Sequence, residues 1–536
     1  MDPIDREFSG APAAKAPGLN EKLLFWACFM SIVATAFGFI IRSQIVGDWA
    51  REYGLGETEV GKINGVGLWP FAISIVVFSL IIDKIGYGKA MIFAFVCHVS
   101  SAVLTILTPR LVTTNEQAYN LLYFSTFILA LGNGTVEAVA NPVVANLFPR
   151  EKTKYLNMLH AGWPGGLVLG GIIALLMGGV GWQYKVGLIF LPVLAYAVLM
   201  FGRTFPVSER VTAGVSFKAM LKEVGVIGAA IIVAMIVRQI GDVFALSLAV
   251  QLVAWAALVI GYGAYIGFAP GQPMFILLML IMIPLATTEL GTDSWISPLM
   301  EPVMIKDFGI SGGWVLVYTS LIMLILRFFA GPIVHKLSPL GLLCVSSAIA
   351  AAGLIFLSRS TGVTILLAAT LYGLGKAFFW PTMLGVAAEQ FPKGGALTLN
   401  TLGGLGMLAV GVLGAPFQGF IQDTKVDRDL ASANPAVYEK VINPPKQSVF
   451  GEYRAVDPNK VEALAEGPKA EVTAIQDAAK RNVLVTTAIF PVIMLVCYLG
   501  LILYFRSKGG YKPQVIISDK EEELLMTGGA VGPAEF

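Results

Sequence analysis

Charge is what this sequence has least of. Only 13% of its 536 residues are charged, about half the share expected of a soluble domain of this length. The net charge of +2 is too balanced to draw nucleic acid, so no nucleic-acid partner is expected. Cysteine is scarce as well. Cys28, Cys97, Cys344 and Cys497 lie far apart inside apolar runs, which excludes a disulfide framework or metal-ligand spacing and reads them as small core residues. The opening stretch "MDPIDREFSGAPAAKAPGLN" lacks the apolar region of a signal peptide, so the first apolar run is expected to be a retained span. No nucleophile–base set, metal cluster or phosphate loop stands out, and neither an enzyme nor a cofactor is expected.

Hydrophobicity fills the space left by charge. Apolar residues make up 56% of the chain and the mean hydropathy is +0.74. Runs of roughly 20 apolar residues recur, each long enough to cross a bilayer as a helix. The expected fold is therefore an all-α polytopic membrane protein.

Spans are expected near 23–46, 63–83, 89–108, 119–147, 155–180 and 185–203, then 224–240 and 243–268. Six more come near 274–296, 313–333, 338–358, 361–389, 397–421 and 482–505, about fourteen in a six, two, six arrangement. Around them we read a tail at 1–22, a six-helix bundle over 23–204 and a linker at 205–223. An extra helix pair spans 224–268, and the second bundle runs over 273–421 and 482–505. A polar segment at 422–481, with one or two short surface helices, interrupts that bundle, and a tail closes the chain at 506–536. Lysine and arginine gather in alternate loops, among them Lys84, Lys89, Arg150, Lys152, Lys154, Arg203, Lys336 and Lys393. That bias places both termini in the cytoplasm, with an inner membrane as the expected location.

The two six-span halves echo each other. "SLIIDKIGYGK" (Ser79 to Lys89) has a counterpart in "GPIVHKLSPLG" (Gly331 to Gly341). "FPREKTKYLN" (Phe148 to Asn157) has one in "FPKGGALTLN" (Phe391 to Asn400). Weak symmetry between halves marks secondary transporters, whose site lies between two bundles near the membrane midplane.

"SLIIDKIGYGK" resembles the G-x-x-x-D-[RK]-x-G-[RK]-[RK] signature of the major facilitator superfamily, with Ser79 for the first glycine and Gly88 at a basic position. The resemblance implies a conformational motif at Asp83, Lys84 and Gly86. Within the superfamily, "VEAVANPVVANLFP" and "YLNMLHAGWPGG" resemble the fourth and fifth helices of the fucose–galactose–glucose proton symporter family. Glu137, Asn141, Pro142 and Asn157 match, and His160 replaces a usual glutamine. "TTELGTDSWISPLM" is similar to its seventh helix through Glu289 and Trp295, and "FFWPTMLGVAAEQF" to its tenth. An acidic residue usual in that family's first helix is absent; Arg42, Ser43 and Gln44 stand in its neighbourhood.

Buried charge is costly in a membrane and marks function. Glu137 is read as a proton carrier, with Arg42 or Lys376 as its charge partner. Glu289 and Asp293, four apart, share a helix face, and Glu289 is taken as the site member. Gln44, Asn141, Asn157, His160 and Asn400 can bind hydroxyls, although such groups also join helices. Trp163, Trp295 and Trp380 can stack on a sugar ring or sit at the bilayer interface. The expected activity is proton-coupled uptake of a monosaccharide or polyol by a monomer, with the proton as coupling ion and a small molecule and the bilayer as partners. Transport of an organic anion such as a sugar acid, through Arg42 and Lys376, is the alternative. A receptor or scaffold on a transporter fold, using 422–481, is a second.

Overall fold

In hydrocarbon every backbone N–H and C=O must be satisfied within the segment, so apolar runs of this length become helices. The computed structural model describes residues 20–55, 57–514 and 516. The first span is Glu21–Tyr53, whose N-terminus is capped by the Asn20 side chain and which ends on Gly54 in the left-handed region (φ 60°). The second is Trp69–Ile85, preceded by Glu57–Val66. The third is Tyr87–Leu111 and the fourth Asn115–Leu147, capped by Thr114. The fifth is the pair Lys152–His160 and Gly162–Leu176, and the sixth Trp182–Gly187 and Phe190–Met200.

Next comes the extra pair, Phe217–Val243 and Leu248–Ile266. The helix Phe217–Val243 packs against the eleventh span, and Leu248–Ile266 packs chiefly on Phe217–Val243. The seventh span runs through Pro273–Ala286, a π-turn at Thr287–Gly291, and Thr292–Phe308. The eighth is Gly313–Phe328 with Ala330–Leu337, the ninth Pro339–Arg359, and the tenth Thr364–Lys376 with Phe379–Gln390. The eleventh runs from Gly395–Ala409 through a π-turn into Ala415–Ala433, and the twelfth is Glu466–Thr487 with Ile489–Ser507.

Among the described residues, 12 helices are long and apolar enough to cross a bilayer, or 13 if the pair Met300–Phe308 and Gly313–Phe328, bent by 100°, counts as one span. The expected fourteen differ at the eighth and tenth spans. There the backbone breaks near Phe329 and at Ala377–Phe378, leaving pieces of 16, 8, 13 and 12 residues.

The internal repeat extends to the backbone. The turn between the second and third spans places Gly86 at φ 82°, ψ 148°, and the turn between the eighth and ninth places Ser338 at φ 61°, ψ 161°. That region is nearly closed to residues with a Cβ; Ser338 gains a compensating bond by accepting the Gly341 N–H at 3.3 Å. The other repeated element ends the fourth span on Phe148 (φ −127°, ψ 62°) and the tenth on Phe391 (φ −129°, ψ 53°).

The 422–481 region holds more structure than expected. The eleventh and twelfth spans each continue into it as helix, and a hairpin pairs Lys446–Ser448 with Gly451–Tyr453. Leu430, Val437, Val441, Val461 and Val472 give it a small core of its own.

Close helix approach depends on small residues. A Cβ on Gly134 would lie 2.7 Å from the Ser74 Cβ and against the Phe71 carbonyl oxygen. Gly134→Ala is therefore expected to destabilise the protein by about 1–3 kcal/mol, seen as a lower midpoint of thermal unfolding in detergent. An unchanged midpoint would mean that the second and fourth spans separate without cost.

Candidate functional site

Two levels of the interface between the bundles carry polar side chains. On the face that bears both described chain ends, the bundles are tied together. Glu389, near the end of the tenth span, accepts from the Thr153 N–H at 3.2 Å and from the Thr153 hydroxyl at 2.5 Å. Lys152 Nζ reaches the Ala388 carbonyl at 3.3 Å and Glu209 at 2.6 Å. Glu151 binds Lys154 at 3.0 Å and lies 3.3 Å from His335. Lys154 first, then His335, holds the Glu151 carboxyl below its ordinary range. The chain beyond the last span adds to this closure, since the Tyr511 hydroxyl donates to Glu389 at 2.8 Å.

Asp83 of the signature forms an ion pair with Arg210, which lies in the linker helix Glu209–Thr212. Lys84 sits over the Phe217 ring at 5.5 Å, and Gly86 makes the turn. The motif therefore fastens the second span to the linker.

Above this closure lies a buried polar network. Asn141 donates to Glu137 Oε2 at 2.8 Å and its own oxygen meets His160 Nε2 at 2.8 Å. His160 Nε2 is 3.9 Å from Glu137. On the opposing bundle, Arg327 is 1% exposed. It donates to the His160 carbonyl at 2.9 Å, to Glu289 at 2.6 Å and to the Ala377 carbonyl at 2.5 Å. The other Glu289 oxygen accepts the Trp380 N–H at 3.0 Å. Asn157 donates to Thr382 at 3.1 Å and Asn400 to the Ala138 carbonyl at 3.0 Å. Both are bonds between bundles.

Neither expected partner contacts Glu137. Lys376 forms an ion pair with Asp293 instead. Arg42 lies roughly 31 Å along its helix from the chain-end face and Glu137 roughly 15 Å, at 1.5 Å per residue, so the two sit at different depths. Glu289 and Asp293, expected on one face, also take different partners. The π-turn at Thr287–Gly291 is wider than an α-turn and rotates the remainder of the helix. Arg327 is the site residue that sequence patterns leave unmarked; its only signal is a lone cation inside "VLVYTSLIMLILRFFAGP".

A cavity of about 680 Å³ opens between the bundles toward the opposite face. Arg42, Gln44, Asn64, Gln239, Asp293 and Ser297 are among its polar lining, and the exposed Asn64 and Ser311 mark its mouth. Arg42 is 6% exposed, and among the described residues its buried Nε meets no hydrogen-bond partner. It lies over the Phe39 ring at 5.6 Å and packs against Gly67, where a Cβ would collide with it. Trp163 approaches the same Phe39 ring, 5.7 Å between centroids, whereas the buried Trp380 ring packs on Gly406. The Trp295 side chain lies outside the described residues.

The interface thus has a buried polar layer of Glu137, Asn141 and His160, a bundle-crossing arginine, and a cavity lined by Arg42 and Asp293. Comparison with known proteins places this geometry. The Major Facilitator Superfamily model matches residues 24–290. No curated protein matches the chain in sequence. Among solved structures, the E. coli fucose:proton symporter FucP is 16% identical, with a TM-score of 0.53 over 88% of this chain and 98% of that one. The human organic anion transporter MFSD10 is 12% identical, with a TM-score of 0.56 over 90% and 100%. A bacterial homolog of the human lysosomal transporter Spinster, captured inward-facing and unoccupied, is 13% identical, with a TM-score of 0.57 over 93% and 100%. The sequence match and the shared two-bundle fold agree: this chain belongs to the major facilitator superfamily of transporters.

Proposed function

We propose that the protein is a proton-coupled, alternating-access importer of a small organic anion of the sugar-acid kind, working as a monomer with both termini in the cytoplasm. One observation carries this reading. The Arg42 side chain is buried at the cavity wall and its Nε finds no hydrogen-bond partner among the described residues, and a buried cation is costly until an anion neutralises it. The planar guanidinium also suits a carboxylate, which it can hold in a bidentate fork.

The proton is assigned to Glu137. Among the described residues no cation lies in hydrogen-bonding contact with it and its carboxylate accepts from Asn141, so taking up a proton removes a buried charge. The cargo enters the cavity from outside, the bundles rock, and the ties on the chain-end face part to release it. Likeness in fold to the fucose and xylose proton symporters and to an organic anion transporter is compatible with this cycle. A neutral monosaccharide is the second reading. The uncharged Gln44, Asn64 and Gln239 of the lining favour it, because such groups exchange hydrogen bonds with hydroxyls.

Uptake into proteoliposomes with an inward proton gradient separates the two, using gluconate and glucose as probes. Gluconate accumulates, and Arg42→Gln reduces its uptake at least about tenfold, the loss of one charge-assisted contact. Glucose uptake in preference to gluconate, or full gluconate uptake by Arg42→Gln, would overturn the anion reading.

A further inference from the structure

The charges around the cavity constrain more than the sign of the cargo. Arg42 and Asp293 are the ionisable side chains among the described residues that line it. They come from the first and seventh spans, hence from opposite bundles. Asp293 is 7% exposed. One of its oxygens pairs with Lys376, and the other is buried with no hydrogen-bond partner. The cavity therefore presents two unsatisfied groups, a cation on one wall and a hydrogen-bond acceptor on the other.

We infer that the cargo is a hydroxylated monocarboxylate that bridges the bundles, its carboxylate on Arg42 and a hydroxyl donating to the free oxygen of Asp293. This rests on the anion reading proposed above and narrows it. Two cations, Arg42 and Lys376, face one carboxylate, Asp293, so a single negative charge on the cargo brings the group to neutrality. In a weakly polar interior an unbalanced charge is heavily penalised. A dicarboxylate would leave one negative charge over and set its second carboxylate against that of Asp293. An amino acid would leave one positive charge over, its ammonium adding to Lys376 at the same carboxylate. A hydroxyl satisfies the acceptor and adds no charge.

The test uses the full chain in detergent, titrated with four six-carbon probes and followed by intrinsic tryptophan fluorescence. The probes are gluconate (one carboxylate), glucarate (two), glucosaminate (carboxylate and ammonium) and glucose (neutral). Gluconate is expected to bind at least about tenfold more tightly than each of the others, a difference of the size one unbalanced charge imposes. Glucarate or glucosaminate binding as well as gluconate would overturn the inference while leaving the anion reading standing. If neither gluconate nor glucarate binds, the anion reading falls and the inference with it.

Asp293→Asn removes the repelling charge and is expected to narrow the gap between gluconate and glucarate several-fold. Because that change strands Lys376 in the interior, Asp293→Asn/Lys376→Gln is measured beside it. The double variant again leaves one cation, Arg42, in excess, so its preference for gluconate over glucarate is expected to return. Equal binding of the two by the folded double variant, or a gap unchanged in a folded Asp293→Asn, would overturn the charge count.

Discussion

Arg327→Met is expected to destabilise the protein by about 3–5 kcal/mol, the cost of leaving a buried carboxylate without its partner. Arg327 is 1% exposed, and the Glu289 it binds lies equally deep, also at 1%. Truncating it also strands the carbonyls of His160 and Ala377, each of which accepts one of its N–H groups. Thermal unfolding in detergent reads the loss as a lower midpoint and poorer recovery of folded protein. The control is Arg327→Met/Glu289→Met. Replacing both members of a buried pair with apolar groups is often neutral, so the double variant is expected to regain most of the stability but not all, because the two carbonyls remain unpaired. Transport should not return with it. The bond to the His160 carbonyl crosses between the bundles, and the double variant lacks this restraint on the closed chain-end face. A single variant as stable as the parent would mean that Glu289 needs no cation, and the assignment of Arg327 as the central tie would be wrong.

Arg327 also shows where reading the sequence stops. The apolar runs were legible because hydrocarbon demands helices of that length. The repeat was legible because its turns recur as short motifs, and the backbone angles at Gly86 and Ser338 agree with it. Pairing across the interface was not legible. Which carboxylate meets which cation depends on depth along a span and on rotation about it. Glu289 and Asp293 pair with Arg327 and Lys376 respectively, a division that the π-turn at Thr287–Gly291 imposes. The breaks at Phe329 and at Ala377–Phe378 lie three or four residues before Pro332 and Pro381, each of which lacks a backbone donor and crowds the carbonyl four residues back. Proline alone does not mark a break, because Pro142 lies inside an unbroken fourth span, so the eighth and tenth spans read as continuous helices. Asn157 and Asn400 had two readings in the sequence, hydroxyl binding or helix joining, and in this conformation both make interhelical bonds.

Glu137→Gln is expected to abolish proton-driven accumulation while leaving exchange of cargo across the membrane intact. Glutamine matches the shape of the protonated acid, and its amide oxygen can still accept from Asn141, which now donates to Glu137 at 2.8 Å. The buried network therefore keeps its geometry and loses only the group that can gain and release a proton. With one proton per monoanion, a gradient of two pH units supplies about 2.7 kcal/mol, enough for roughly 100-fold accumulation. The variant should fall to equilibration, with an inside-to-outside ratio near one, while counterflow of preloaded cargo proceeds at an undiminished rate. The charge of the cargo adds a second, independent reading of the same experiment. A monoanion and a proton together carry no net charge, so clamping the membrane potential with potassium and valinomycin should leave parent uptake unchanged. A neutral sugar moving with a proton would instead be driven by that potential. Accumulation by Glu137→Gln would move the proton site elsewhere, and uptake that tracks the potential would show that the cargo entering with the proton is not a monoanion.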